Sequence, residues 1–571
     1  MMNRLIRPLA AIVSGLALAL CFEPFNQDWL VWGWMWVLLP VLWTVSGKRK
    51  KLAGFGLGYL SGLAFWLLNV KWLWTVTGLG AVVIAAYLAL YFGVFGAFAA
   101  SSGNPWRKKT QFASGIGPRI YEAARSLGYA VSLAGLWCGL EWVRGWLLTG
   151  FGWNGLGVAF SKNLILAQNA EFVGVIGLSF LPVFFSAVAV QVGRRFYQQS
   201  TSGGVKLLHW DFATALLVIM VAFTVGMMRY TTMRNVDVIE GKALMIQQNI
   251  PQVAGRIDWE PHEIVDGFLE LTEAGLAAAD ERAAEALQEI QPGEPVTIPR
   301  PDLVIWPEAC LPVWFYELES GINSGPEMES VLDYVMSLGD FTLVTGINEV
   351  VGDPAAGDAD FYNSLMIHNQ AKERQTFRKN HLVYFGEAMP DVQIFRDLYK
   401  SATGVDFVTG LTPGESFEPL KVEIKGVEVG VIPSVCFEDT VPRLERKFAR
   451  KAPQVIVNVT NDGWFQESEG SAQHFQNAIF RSIELRRPML RCANRGVTGV
   501  VSITGATVDP WKKEERRLTD EEGSHFHRGF LLSSFYVPTE IGVTVYARYG
   551  DWFAVSGLVF AFGWGAVTRL R

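Results

Sequence analysis

The feature that most constrains this sequence is where its apolar residues lie. They gather in two stretches, 1–230 and 551–571, while residues 240–540 read as an ordinary charged soluble domain. Half of all residues are hydrophobic and only 18% are charged, against about 25% charged in soluble domains. Disorder and collagen-like structure are excluded, and a soluble multidomain enzyme is disfavoured. A bilayer core takes about 20 apolar residues per helix. Eight such runs occur, near 5–21, 30–45, 52–70, 79–100, 130–148, 172–192, 212–228 and 552–566. The first follows Arg4 and Arg7 as a signal peptide would, and its end, Leu-Ala-Leu-Cys at 18–21, looks like a lipoprotein cleavage box. Leu20 is too large for the cleavage position, and six more spans follow before any soluble domain, so an uncleaved helix is expected.

Positive charges set the orientation. One side receives Arg4, Arg7, Lys48, Arg49, Lys50, Lys51, Arg107, Lys108, Lys109, Arg119, Arg125, Arg194, Arg195, Lys206, Arg569 and Arg571; the short loops opposite hold Lys71 and Lys162. Sixteen against two predicts that both termini are cytoplasmic and that 240–540 lies outside, on the periplasmic face of a bacterial inner membrane. Glu141, Arg144 and Glu171 sit in or beside spans five and six. They are either functional, as ionisable groups at membrane depth tend to be, or a Glu–Arg pair that fixes helix packing. Gly54, Gly56 and Gly58 lie in a span, where small residues let helices approach closely, so no phosphate loop is read there. The tryptophans at 29, 32, 34, 36, 72 and 74 read as interfacial belts. A net charge of −6 without a basic stripe gives nucleic acid no footing. Five cysteines, with no CxxC and no metal spacing among seven histidines, argue against a disulfide framework and leave open one special thiol.

From Lys242 onward, short β-rich runs (243–247, 303–306, 342–346, 364–368, 427–433, 455–459, 490–493, 499–503) alternate with helical stretches (261–288, 327–338, 441–451, 472–486), with surface loops at 291–299 and 351–358. This pattern predicts a layered α/β domain. Three strand ends carry reactive side chains. An apolar strand stops at Trp306-Pro307-Glu308; Lys379 opens a run ending at Phe385-Gly386-Glu387; and Val435-Cys436-Phe437-Glu438 follows a third strand. Singly, each has a bland reading: a packed thiol, a solvated lysine, a turn-capping glutamate.

Together, in the order Glu, Lys, Cys, they resemble the nitrilase (carbon–nitrogen hydrolase) superfamily, and within it the eight spans and outer domain resemble the apolipoprotein N-acyltransferase family. The resemblance also rests on Gln248 to Gln252, Asn461-Asp462-Gly463-Trp464-Phe465, Glu484 to Pro488 and Glu141-Trp142-Val143-Arg144-Gly145. Tyr384, Phe437 and Gly463 stand where the family usually has Pro, Tyr and Ala, and the 274–299 stretch is longer than usual. The resemblance implies eight transmembrane helices (1–230 and 551–571) with an extracytoplasmic αββα sandwich (240–540). It implies Cys436 as nucleophile, Glu308 as base, Lys379 as oxyanion-stabilising cation, and Glu387 and Glu438 in support. Trp464, Trp259, Phe437 and Trp314 would meet lipid. The implied reaction moves an acyl chain from a phospholipid, phosphatidylethanolamine, through a thioester to the α-amine of a diacylglyceryl apolipoprotein, without cofactor or metal, in a monomer. A Cys–His hydrolase using His381 or His474, a membrane-tethered amidase, and a transporter with an inactive outer domain are the alternatives.

Overall fold

The computed structural model describes residues 2–102, 106, 116–202, 209–253, 256–257, 259–289, 300–318, 321–389, 393, 396–397, 400 and 410–570. Arg107, Lys108, Lys109, Lys206 and Arg571, the 291–299 loop and the end of the 274–299 stretch lie outside them. The chain divides into two units, Met1–Thr231 with Arg548–Arg571, and Thr232–Ala547.

The first unit is helical. By length and apolarity, Lys50–Asn69, Leu79–Ser101 and Trp210–Met233 are each able to cross a membrane among the described residues, and the pair Ala170–Leu178 and Phe180–Gln198, bent by 57°, makes a fourth if it is one span. Leu216, Leu217, Met220, Val221 and Phe223 of the Trp210–Met233 helix are exposed, which suits a lipid surrounding better than water. The expected second span, 30–45, is a 3-10 turn Asp28–Trp32 followed by a nine-residue helix Met35–Trp43 with Pro40 inside; a proline removes one helical hydrogen bond. The fifth lies in the C-terminal part of a long helix, Ile116–Arg144.

Glycines permit close helix contacts. A Cβ on Gly58 would lie 2.2 Å from Phe92 O, and one on Gly54 would lie 2.6 Å from Gly96 O, so this face of Lys50–Asn69 meets Leu79–Ser101 backbone to backbone. Glu141 is buried and accepts from Trp137 Nε1 (2.9 Å), Leu156 N (2.7 Å) and Ser179 Oγ (2.6 Å). Arg144 donates to Trp153 O at 2.7 Å, and Glu171 pairs with Arg229 at 2.6 Å. These bonds tie loops and helices together.

The second unit stacks two sheets. The larger runs β15 (Gly529–Pro538), β1 (Val238–Gln247), β4 (Leu303–Ile305), β7 (Thr342–Val351), β5 (Trp314–Leu318), β6 (Gly321–Asn323), with β8 (Asp360–His368) beside β7 and β9 (Arg374–Arg378) beyond β8. The smaller runs β10 (Leu420–Ile424), β11 (Val427–Val435), β12 (Gln454–Thr460), β13 (Met489–Ala493), β14 (Gly499–Val501); β2 (Gln252–Val253) and β3 (Arg256–Ile257) form a short hairpin. The centres are parallel, β1–β4–β7 and β11–β12–β13. Every residue of β12 and β13 is buried, as parallel strands covered on both faces require. Cys492 on β13 reaches Ile246 O on β1 and Ile305 O on β4, both at 3.3 Å, so the sheets meet face to face.

Helices Pro261–Glu289 and Pro326–Ser337 cover the larger sheet through Ile264, Phe268, Leu271, Leu332 and Val335. The 274–289 part of the long stretch thus continues that helix. Helix Glu469–Leu485, buried along nearly its whole length, belongs to the smaller sheet's side and ends at Arg486 in the left-handed region. The expected 441–451 helix is only Pro442–Glu445 plus a 3-10 turn. β2, β3, β5, β6, β9, β10 and β15 have no counterpart among the β-rich runs of the sequence.

Candidate active site

Sheet order brings three strand ends to one place. Pro307 stops β4, and Glu308 follows it, buried. Lys379 comes directly after β9; its N–H donates to Asn363 O at 2.8 Å and its side chain is 1% exposed. Cys436 comes directly after β11 with φ of +54°, opening the 3-10 turn Cys436–Thr440. A non-glycine residue there costs on the order of 1–3 kcal/mol, and neighbouring bonds hold it. Asn458 Nδ2 donates to Cys436 O (3.2 Å) and Ser434 Oγ (3.0 Å).

Lys379 Nζ lies 2.8 Å from Glu387 Oε1 and 3.5 Å from Glu308 Oε1. Asn363 Nδ2 donates to the same two oxygens at 2.9 and 2.8 Å. Glu387 Oε2 accepts Val383 N–H at 2.8 Å. Glu308 and Lys379 are the two charges that act most strongly on the Cys436 thiol. Glu438 clamps two loops: Oε1 accepts the N–H groups of Asn380 (2.8 Å) and His381 (2.9 Å), just after Lys379, while Oε2 accepts Val435 N–H (2.9 Å), just before Cys436. It serves both readings, turn cap and lysine support.

The electrostatics follow from burial and partners. Burial pushes the Cys436 thiol well up, and the Glu308 charge adds to this while Lys379 opposes it. Burial also raises Glu308, against the pull of Lys379. Burial works to deprotonate Lys379, but Glu387, Glu308 and Cys436 outweigh it and keep the ammonium charged. At rest the centre therefore holds a protonated thiol in the field of a carboxylate that a fixed cation touches. That suits proton transfer to Glu308 followed by nucleophilic attack.

The remaining predicted residues are placed as follows. Trp464, in the turn Asp462–Phe465, is 39% exposed, and Trp314 on β5 is 40% exposed with Phe361 edge-on at 5.3 Å. Trp259 packs partly buried against the core under the larger sheet. Phe437 stacks on the His381 ring at 6.1 Å. The two ring nitrogens of His474 lie at 2.7 and 2.8 Å from Asp462 and Asp439, so that ring is committed away from a Cys–His pair. Asn363 and Asn458 went unread in the sequence; each is an amide among the buried residues of its strand. Tyr384 and Phe385, in the loop carrying Glu387, are exposed aromatics. Among the described residues no three His, Cys, Asp or Glu side chains are grouped to hold a metal ion.

Residues 14–188 match the family model of the apolipoprotein N-acyltransferase N-terminal domain, and residues 272–522 match that of carbon–nitrogen hydrolase. An apolipoprotein N-acyltransferase of Geobacter metallireducens is 28% identical over 519 residues, covering 87% of this chain and 85% of its own. One of Brucella suis is 28% identical over 526 residues, covering 87% and 86%. The chain belongs to the apolipoprotein N-acyltransferase family. It is an enzyme, an acyltransferase of the carbon–nitrogen hydrolase superfamily. A solved amidase structure from Nesterenkonia sp. AN1 is 12% identical, covers 55% of this chain and 99% of its own, and superposes with a TM-score of 0.30. For a member of this family, the Glu308, Lys379 and Cys436 cluster is the natural place to seek the acyl-transfer chemistry.

Proposed function

We propose that this enzyme carries out the acyl transfer of lipoprotein maturation in two steps through a thioester on Cys436. Glu308 takes the thiol proton as the thiolate attacks an ester carbonyl of a phospholipid, phosphatidylethanolamine. The Lys379 ammonium faces the oxyanion that forms, an effect worth about 3–4 kcal/mol on the scale of single oxyanion donors. The tetrahedral intermediate collapses, the lysophospholipid alkoxide leaves with the proton from Glu308, and the acyl chain stays on sulfur. The α-amine of a diacylglyceryl-cysteine then attacks the thioester, loses its proton to Glu308, and expels the thiolate, which Glu308 reprotonates. The observation that carries this reading is the buried Lys379 ammonium held between Glu308 and Glu387, with the Cys436 thiol in the field of Glu308 and Lys379.

Glu387 holds Lys379 and Glu438 holds both loops. Trp464, Phe437, Trp314 and Trp259 form the apolar surroundings, with Trp464 and Trp314 the exposed members. We read the apolar unit as eight crossings (1–230 and 551–571) with both termini cytoplasmic and the 240–540 domain periplasmic in the inner membrane; the sixteen-to-two charge asymmetry supports this. The enzyme works as a monomer.

Purified protein incubated with phosphatidylethanolamine is expected to gain one acyl mass that hydroxylamine removes, and Cys436→Ala is expected to gain none. An adduct on the Ala variant, or none on the wild type, defeats the thioester. A diacylglyceryl peptide should then be N-acylated; release of free fatty acid instead would make the enzyme a hydrolase.

A further inference from the structure

A second buried ion cluster lies among the turns that carry Cys436 and Trp464, and the chemistry above gives it no task. His474, in helix Glu469–Leu485, has Nδ1 2.7 Å from Asp462 Oδ1 and Nε2 2.8 Å from Asp439 Oδ1. Arg491 on β13 reaches both aspartates at 3.3 Å, lies 2.9 Å from His474 Nδ1 through Nη2, and donates from Nη1 to Val497 O at 2.8 Å. Ser471 Oγ donates to Asp462 Oδ2 at 2.8 Å, and Phe465 stands edge-on to the imidazole. All four charged side chains are fully buried. Asp439 shares the turn of Cys436, and Asp462 shares the turn of Trp464.

We propose that His474 is a positioning residue: held as an imidazolium between Asp439 and Asp462, it locks the nucleophile's turn to the tryptophan's turn and cancels the aspartates' field at the thiol. The inference rests on Cys436 being the nucleophile. Charge balance supports it. The ring nitrogens lie 2.7 and 2.8 Å from two buried carboxylates that Arg491 alone would otherwise have to neutralise. With the imidazolium, two negative and two positive groups cancel; with imidazole, one uncompensated charge stays buried, which is costly. Burial works against a charged ring, but Asp439 and Asp462 outweigh it and raise the imidazole to about 9, against Arg491. The cluster is within electrostatic reach of the nucleophile. Asp462 is among the charges that raise the Cys436 thiol, and Cys436 is among those that raise Arg491.

The test reads the thiol directly. In the full-length protein in detergent, the pH at which Cys436 is half-alkylated by iodoacetamide is measured by peptide mass spectrometry. His474→Gln leaves the cluster one charge negative, so that pH is expected to rise by about one unit. Asp439→Asn adds positive charge and is expected to lower it. The double variant, neutral again, is expected to fall near wild type. A purely structural role would move the single variants in the same direction or not at all, and either result overturns the proposal. If one single variant fails to fold, the sign of the other decides. If neither folds, nitrogen NMR of histidine-labelled wild type at about pH 8, where ordinary imidazoles are neutral, must find a ring with both nitrogens protonated; finding none overturns the proposal. Alkylation needs no acyl donor, so a wild type without a thioester would sink the reaction while this measurement still reports on His474.

Discussion

Two clusters of buried charge stand close together in the Thr232–Ala547 unit, and they are built to opposite ends. Around Lys379, one cation serves two carboxylates, and the Cys436 that completes the group is partly exposed. Around His474, two cations serve two carboxylates, and all four side chains are sealed. Burial and ion pairing alone therefore do not mark the reactive centre. The reactive cluster has one carboxylate more than its cation neutralises, and the charge of Glu308 acts on the Cys436 thiol. The sealed cluster has nothing left to give, and its balance suits it to holding turns in place.

The largest expected effect follows from removing the reactive atom. Cys436→Ala should abolish the hydroxylamine-sensitive adduct, while its thermal midpoint stays within a few degrees of wild type, because no buried charge loses its partner. Lys379→Met should do both kinds of damage. Acyl-enzyme formation is expected to fall by about 10²–10³. Stability is expected to fall too, since two buried carboxylates lose their cation, a class of change that costs about 3–5 kcal/mol. A stable, inactive Lys379→Met protein would mean that this cluster tolerates an unpaired charge, and the contrast drawn above would fail.

Much of the centre was readable in the chain because it sits at strand ends. Trp306-Pro307-Glu308 announces a strand stopped by proline with an acid next to it, and Cys436 follows an apolar run that the smaller sheet buries. What was not readable depends on tertiary pairing. Asn363 meets Glu308 and Glu387, 55 and 24 residues away in sequence, and only the β7–β8–β9 order brings them together. His474 meets Asp439 and Asp462 because the turns after β11 and β12 open on the same side, as the turns after adjacent parallel strands do. The apolar runs read as helices, yet composition is silent on breaks. The 172–192 run is parted at Ser179, with a bend of 57° between its two helices, and the 30–45 run is parted before Met35. β15 was missed because Ser533-Ser534 interrupts its alternation, although it pairs with β1 along ten residues.

A smaller effect sharpens the role of the amide that binds the reactive cluster. Asn363→Leu removes one donor from both Glu308 and Glu387 while keeping the branching of the side chain. Hydrogen bonds to charged groups contribute about 1.5–3 kcal/mol, so the rate of acyl-enzyme formation should fall about tenfold to a hundredfold. Most of that should appear in the rate constant rather than in the apparent affinity for phospholipid, because Asn363 touches the base and the cation's partner. An unchanged rate would leave Asn363 a packing residue.

The smallest effect separates the clusters by pH. His474 is raised to about 9 in the fold, above the 6.5 of a free imidazole. Its contribution to stability is therefore complete below about pH 6.5 and is lost as pH rises through about 9. Lys379 is pushed up further still, so its ammonium does not titrate in that window. Glu438, raised by burial to about 7, loses stabilisation only up to about that pH, and the raised thiols begin to lose theirs near the free-thiol value of about 8.5. The imidazolium's share is isolated by the difference between the wild type and His474→Gln. Between about pH 7 and 8.5 the wild-type thermal midpoint should fall by roughly 3 °C more than that of the variant. Equal falls in the two proteins would mean that His474 carries no extra proton, and the sealed cluster would then hold a net negative charge as the reactive one does.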